Sequence, residues 1–167
     1  IMTLEEPVEY PMALIRQTSV NDAVKLDFAS GIRSMMRQDP DVILVGEVRD
    51  KATAEMAFRA AMTGHQVYTT LHTNSAIGSI PRLSDLGVLP DIMAGNIIGV
   101  IAQRLVRKLC TFCREEYVPE HALRQLLGLR EDESPKLYRA VGCKKCDQQG
   151  YKGRMAIMEL LKIDEDI

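Results

Sequence analysis

A carboxylate and an imidazole stand where two apolar segments of this sequence end. Residues 42–45 are apolar throughout, as a strand buried in a parallel sheet requires, and Gly46 and Glu47 follow them. A second, largely apolar segment, 67–71, is followed by His72. Because ligands of open α/β sheets bind at the carboxyl ends of the strands, we expect both side chains at one edge of a sheet. The pattern predicts half of a nucleotide-hydrolysis site.

Further carboxylates follow a short strand that is predicted over residues 1–4. Glu5, Glu6 and Glu9 fall within five residues of one another. A nucleotide hydrolase needs an acid that holds Mg²⁺ and its waters, and a base that activates the attacking water. We assign the first role to Glu47 and the second to Glu5. The plainer interpretation, a solvated acidic loop and an exposed acid at a strand end, stays open.

Histidines and arginines supply hydrogen-bond donors near the same site. His65 and His72 bracket the second strand among threonines, and both imidazoles and hydroxyls can donate to phosphate oxygens, so this rim is a candidate γ-phosphate sensor. A zinc site is the weaker alternative, because these histidines and the carboxylates lack a compact metal-ligand spacing. Arg33 and Arg37 lie four residues apart on one face of a predicted helix, near the edge of the site or of a subunit.

The four cysteines form two CxxC pairs, Cys110 with Cys113 and Cys143 with Cys146, separated by 29 residues. Two such pairs predict a tetrahedral Cys₄ zinc site, and four thiolates leave no open position for catalysis. A helical insert over 120–129 accounts for the length between the pairs. Four unrelated buried thiols are the alternative interpretation, and the basic residues around the pairs leave a nucleic-acid-binding ribbon open.

The rest of the sequence supplies the elements that position these residues. Its 167 residues, 46% of them apolar, are enough for one α/β domain with a small appendage. A net charge of −2 argues against a broad nucleic-acid surface, and no apolar run reaches the roughly 18 residues of a membrane span. Periodic apolar residues predict helices over 27–38 and 51–62. They also predict a helix that follows Ser75 and ends at Leu86, and another that begins at Pro90 and includes Ile101.

The sequence contains no Gly-Lys dipeptide, so it lacks the GxxxxGK[ST] loop that cradles phosphates. The residues from Ile1 onward read as the last part of a strand that is already under way. We therefore expect a fragment of a longer protein, one that is inactive as an ATPase by itself.

Several motifs resemble those of the secretion ATPase family, the hexameric motors of type II secretion and type IV pilus assembly. Residues 5–10 (EEPVEY) resemble its Asp box, 39–50 (DPDVILVGEVRD) an atypical Walker B motif, and 63–74 (TGHQVYTTLHTN) its His box. The cysteine pairs, 102–110 (AQRLVRKLC) and 150–161 (GYKGRMAIMELL) are similar to the type II secretion and pilus-extension branch. Retraction motors usually lack the cysteines, so the resemblance disfavours retraction.

The resemblance implies a fold and a set of catalytic residues. Residues 1–109 are the implied latter half of a RecA-like P-loop ATPase domain without its P-loop. Residues 110–167 are the implied tetracysteine zinc-binding subdomain with C-terminal helices. By position, Glu5 corresponds to the catalytic glutamate that activates water, Glu47 to the Walker B acid on the metal side, and His72 to the histidine that senses the γ-phosphate.

The resemblance also implies ligands and partners. They are ATP, Mg²⁺ and Zn²⁺, a homo-hexamer, a cytoplasmic location at the bacterial inner membrane, and contacts with a platform protein and a membrane-anchored component of the machine. Nucleic acid is not expected. His65 is the implied companion of the sensing histidine, and Arg33 and Arg37 match arginines that help to complete the site between subunits. Glu6 stands where the family usually has Asp.

We interpret the sequence as part of a motor that powers type II protein secretion or type IV pilus assembly by ATP hydrolysis. One alternative is a non-enzymatic zinc-binding interaction module, in which the acids and histidines only build structure. Another is a DNA-transfer motor of related fold.

Overall fold

A computed structural model of the chain describes residues 1–130, 132–133 and 135–164. Its first four strands form one sheet in the order β2-β1-β3-β4, and each neighbouring pair runs parallel. The α/β class and the three strands predicted over 1–4, 42–45 and 67–71 are confirmed. The strands are β1 (Met2–Glu5), β2 (Arg16–Ser19), β3 (Val42–Val45) and β4 (Gln66–Thr69).

Five α-helices and four further strands are found in the described part of the chain. None of these helices is long and apolar enough to cross a membrane. The helices are α1 (Phe28–Met35), α2 (Lys51–Met62), α3 (Ser79–Asp85), α4 (Pro90–Ala94) and α5 (His121–Leu126). The strands are β5 (Gly99–Leu109), β6 (Glu115–Tyr117), β7 (Leu137–Arg139) and β8 (Tyr151–Lys162). Short 3₁₀ helices cover Asp22–Val24, Met36–Gln38 and Lys144–Cys146.

The helices α1 and α2 cover one face of the parallel sheet. Leu4, Ile43 and Val45 are fully buried against them, together with Ile32 of α1. Leu44, which alternates with the two buried residues of β3, is 38% exposed. Because side chains alternate between the two faces of a strand, the core lies on the helix side of the sheet.

Asp27 fixes where α1 begins. Its Oδ1 accepts a hydrogen bond from the Ser30 N–H at 2.7 Å, and Ser30 Oγ accepts one from the Asp27 N–H at 3.2 Å. The Ser30 N–H favours the carboxylate form and so lowers the pKa of Asp27. Asp27 is therefore the N-cap of α1, at the first residue of the helix predicted over 27–38.

Gly31 lets α1 approach β1 closely. A Cβ at this position would lie 2.4 Å from Leu4 Cδ2, and Leu4 is itself fully buried. Overpacking a core costs about 1–3 kcal/mol, against a gain of about 1 kcal/mol in helix propensity. We expect Gly31→Ala to lower the free energy of unfolding, measured in urea, by about 1 kcal/mol relative to Gly95→Ala, whose Cβ meets no atom within 4 Å. Equal stability of the two variants would contradict this packing.

The C-terminal part of the chain differs from the sequence prediction. The helix predicted from Pro90 is only the short α4, and residues near Ile101 belong to β5. The helical insert predicted over 120–129 is found as the short α5, but the helices predicted at the C-terminal end are wrong as far as residue 164, because Tyr151–Lys162 is the strand β8, which pairs with β5. Ala, Met and Leu favour a helix locally, but hydrogen bonding to a neighbouring strand overrides such weak propensities.

The chain folds as two compact units. One unit comprises residues 1–102 and the segment that begins at Glu159, and the other comprises residues 103–158. The predicted domains, 1–109 and 110–167, have other boundaries and stay a prediction. The parallel sheet and its helices belong to the first unit, and the four cysteines belong to the second.

Candidate functional site

Three predicted site residues meet at the carboxyl ends of neighbouring strands. Glu5 is the last residue of β1, Glu47 lies just beyond β3, and His72 lies just beyond β4. The two carboxylates line a cleft of about 430 Å³, to which Phe28 and Thr70 also contribute. In parallel sheets this edge is where ligands bind, because the loops that follow the strands leave a crevice there.

Glu47 receives two donors on one carboxylate oxygen. Its Oε2 accepts a hydrogen bond from Arg49 Nε at 2.5 Å and lies 3.1 Å from His72 Nε2. The Glu47 side chain is 13% exposed and that of His72 is 81% exposed, so the more buried acid holds the exposed ring. Arg49 also contacts Glu6 Oε2 at 3.0 Å. The hydrogen bond to Glu47 raises the pKa of Arg49, which therefore remains a cation between two carboxylates.

Arg49 is the site residue that the sequence analysis missed. The sequence does contain one signal for Arg49, which is its spacing from Glu47. Side chains two residues apart in an extended segment point the same way. Its charge reduces the repulsion between Glu47 and Glu6, and the repulsion that both would exert on a triphosphate. The contact also gives Glu6 a definite partner, which the sequence could not supply.

Glu5 is oriented by polar neighbours on its own side of the sheet. Its Oε1 accepts one hydrogen bond from Thr3 Oγ1 at 2.5 Å and another from Gln17 Nε2 at 3.1 Å. Thr3 of β1 is paired in register with Gln17 of β2, so the two strands together fix these donors. A carboxylate held in one orientation at a cleft has the geometry that a general base needs.

The loop after β4 is tied to the loop after β3. Thr70 Oγ1 donates to the Gly46 carbonyl at 2.6 Å, and the Val48 N–H donates to the Thr70 carbonyl at 3.1 Å. These two bonds continue the strand pairing just beyond the sheet. As a result, His72 and Glu47 lie next to each other beyond the carboxyl ends of β4 and β3.

Three other predicted site residues do not line the cleft of their own chain. His65 precedes β4, and its Nδ1 lies 3.0 Å from the Ala60 carbonyl near the end of α2. His65 therefore lies at the amino end of β4, whereas His72 follows the carboxyl end of the same strand. Arg33 packs on a methionine sulfur of α2 at 3.6 Å, and Arg37 is exposed in the 3₁₀ helix that precedes β3.

The four cysteines converge within the second unit. The Sγ atoms of Cys110, Cys113, Cys143 and Cys146 all lie within 4.8 Å of one another. Cys146 Sγ is 3.8 Å from the sulfurs of both Cys113 and Cys143. A tetrahedral ion with Zn–S bonds of about 2.3 Å places its sulfurs roughly 3.8 Å apart, whereas a disulfide requires about 2.05 Å. The donor set fits a four-coordinate metal ion.

Backbone N–H groups point at two of these sulfurs. The N–H groups of Cys143 and Gly150 each donate to Cys146 Sγ at 3.2 Å, and that of Gly142 donates to Cys113 Sγ at 3.4 Å. Burial raises the pKa of Cys113 to about 11. Burial also acts to raise the pKa of Cys146, but its two N–H donors and its hydrogen bonds with the Cys113 and Cys143 thiols together outweigh that effect and lower the pKa to about 7. Cys146 therefore loses its proton more readily than Cys113, although both sulfurs must be thiolates to bind a metal ion.

Comparison with known sequences identifies relatives along the whole chain. The family described as type II/IV secretion system protein matches residues 1–167. Type II secretion system protein E of Pseudomonas aeruginosa is 51% identical over 165 residues, which are 99% of this chain and 33% of that protein. The type IV pilus assembly ATPase PilB of Thermus thermophilus is 48% identical over 99% of this chain and 19% of its own length. The chain thus spans about a third or less of these relatives.

Solved structures with a similar fold are also ATPases or motors by name. The pilus retraction motor PilT with bound ADP has a TM-score of 0.60 and 41% identity, over 66% of this chain and 35% of that chain. The ATPase DotB of Legionella pneumophila has a TM-score of 0.61 and 25% identity, over 99% of this chain and 37% of that chain.

Proposed function

The chain belongs to the type II/IV secretion system protein family, as its motifs indicated, and we propose that it is part of an ATPase motor that drives type II secretion or type IV pilus assembly. The convergence of Glu5, Glu47 and His72 at the carboxyl ends of adjacent parallel strands carries this proposal. The first unit is the latter half of a RecA-like domain. A segment of the full-length protein outside this chain supplies the phosphate-binding loop.

Each of the three residues has its own task in hydrolysis. Glu5, oriented by Thr3 and Gln17, accepts a proton from the water that attacks the γ-phosphate. Glu47 provides the acid on the metal side of the site. His72 is largely exposed beside Glu47, so its ring is accessible to a phosphate oxygen and donates to it.

The carboxylates of the cleft also fit a magnesium ion. Oxygen donors are the ligands that Mg²⁺ prefers, and it is usually bound through one or two carboxylates together with substrate phosphates. Mg²⁺ bound there would neutralise the charge that develops on the phosphates. Glu47 is the residue that would hold it. Arg49 and His72 compete for the same Glu47 oxygen, so metal binding is expected to loosen these contacts.

Residues outside the cleft are assigned to assembly. Arg33 and Arg37 complete the site of a neighbouring subunit in a homo-hexamer, and neither lines the cleft of its own chain, which is consistent with that role. His65 supports β4 from its amino end. The full-length motor works in the cytoplasm at the inner membrane, with the platform protein and a membrane-anchored component as partners.

The cysteine cluster is proposed to be a structural zinc site. Four thiolates complete the tetrahedron and leave no position for a reactive water. The cluster also supports the secretion or pilus-assembly branch over retraction, because the resemblance associates the cysteines with that branch.

In the full-length protein, Glu47→Gln is expected to lower ATP turnover by about 10²-fold or more, because one charge that positions Mg²⁺ and its waters is lost. The remaining turnover should need a higher Mg²⁺ concentration. Phosphate release measured over a Mg²⁺ series tests both effects. Glu55→Gln is the matched control, since Glu55 is an exposed acid on α2 whose partner is Lys51 at 3.7 Å. Normal activity of Glu47→Gln at limiting Mg²⁺ would show that Glu47 has no role on the metal side.

A further inference from the structure

We infer that Glu159 is a positioning residue for His72, because its carboxylate holds the loop that presents this histidine to the cleft. The inference rests on the proposed ATPase function, in which His72 contacts the γ-phosphate. Glu159 lies on β8, and its Oε2 accepts a hydrogen bond from the Ala76 N–H at 3.1 Å, across 83 residues of sequence. Both residues belong to the first compact unit.

His72 depends on its backbone for position. Its side chain is 81% exposed, so packing alone restrains the ring little. Residues 70–78 belong to no helix or strand. The contact with Glu47 at 3.1 Å is therefore made only if the loop backbone brings the ring to that place.

Anchors lie on both sides of His72. Before it, Thr70 is bonded to the backbone of residues 46–48 through its hydroxyl and its carbonyl, at 2.6 and 3.1 Å. After it, Ala76 is fully buried, and its N–H is the group that Glu159 binds. The loop is thus fixed to the end of β3 on one side and to β8 on the other.

The local hydrogen bonds of the loop determine its shape. Thr73 Oγ1 donates to the Ser75 carbonyl at 3.1 Å, and Ser75 Oγ accepts the Gly78 N–H at 3.2 Å. The Ala76 carbonyl accepts Ser79 Oγ at 2.7 Å, which joins the loop to the start of α3. A hydrogen bond to a carboxylate is roughly twice as strong as a neutral one, so the bond from Glu159 restrains this junction more strongly than each of the neutral hydrogen bonds just described.

The first test is a comparison of variants of the full-length protein. A displacement of about 1 Å at a catalytic group can cost on the order of 10²-fold in rate. We expect Glu159→Ala to lower kcat about tenfold and to change the KM for ATP by less than about twofold. Glu159→Gln keeps an oxygen that can accept the Ala76 N–H and should retain most of the activity. Glu55→Ala removes an equally charged, exposed side chain and serves as the control.

A double-variant cycle separates positioning of His72 from a general effect on the fold. If Glu159 acts through His72, the variant His72→Ala/Glu159→Ala should have the same kcat as His72→Ala, because no ring remains to be positioned. A double variant that is clearly slower than His72→Ala overturns the inference, as does full activity of Glu159→Ala.

Hydrogen exchange tests the anchor without reference to catalysis. The peptide that contains Ala76 should exchange faster in Glu159→Ala and at the wild-type rate in Glu159→Gln, while peptides of α2 stay unchanged. If Glu159→Ala disrupts β8, Glu159→Thr, which favours a strand, replaces it with the same expectations. Unchanged exchange at Ala76 overturns the inference. Failure of the wild-type protein to hydrolyse ATP overturns the proposed function instead, and the exchange result still decides whether the anchor exists.

Discussion

Glu5→Gln is expected to abolish ATP turnover of the full-length protein, by about 10³-fold, and to leave ATP binding nearly unchanged. A general base takes its proton in the transition state, so its loss affects kcat by about 10²–10⁴-fold and ground-state affinity little. The glutamine is nearly isosteric and keeps an oxygen that can accept from Thr3 Oγ1, so the local structure should persist. Phosphate release and titration with a fluorescent ATP analogue measure the two quantities separately.

Glu9→Gln is the control for Glu5→Gln. Glu9 is an exposed acid of the same loop, and no role in proton transfer is assigned to it. Its neutralisation changes the charge of the cleft by the same amount and should leave most of the turnover intact. Wild-type turnover in Glu5→Gln, or an equal loss in both variants, would mean that Glu5 acts only through the charge of an acidic loop.

The parts of the fold that follow from local sequence were predictable. An unbroken apolar run gives β3, and helical periodicity gives α2, whose predicted and observed bounds agree. Because parallel strands place their carboxyl ends at one edge of a sheet, the placement of Glu47 and His72 at that edge was also predictable, whereas the position of β1 beside β3, which brings Glu5 to them, was not. The spacing of the cysteines likewise anticipated their convergence.

The features that depend on distant partners were not predictable from the sequence. β8 carries residues that favour a helix, and only its pairing with β5 makes it a strand. Arg49 bridges Glu47 to Glu6 across 43 residues, and its position requires the register of β1 against β3. Glu159 reaches the loop of His72 only because β8 runs past it. Each of these contacts joins segments that are far apart in the sequence, and no local sequence pattern predicts that they will meet.

Cys146→Ser is expected to release the metal and to unfold residues 103–158. Cys146 is buried, its sulfur lies 3.8 Å from those of Cys113 and Cys143, and it receives two backbone N–H groups. Binding of a structural zinc contributes about 10–16 kcal/mol in zinc-finger peptides at pH 7, as much as the whole stability of a typical domain, about 5–15 kcal/mol. Elemental analysis should find about one zinc per wild-type chain and almost none in the variant.

Limited proteolysis with mass spectrometry shows which part of the chain unfolds in Cys146→Ser. New cleavage sites in Cys146→Ser should fall within 103–158, while α1 and α2 stay protected, because their buried partners are the strands of the first unit. Thr111→Ser is the matched control, since Thr111 lies between two ligands and is exposed. It should keep its zinc and its resistance to protease. Wild-type protein without stoichiometric zinc, or Cys146→Ser with wild-type protection, would show that the four thiols hold this unit together by packing alone.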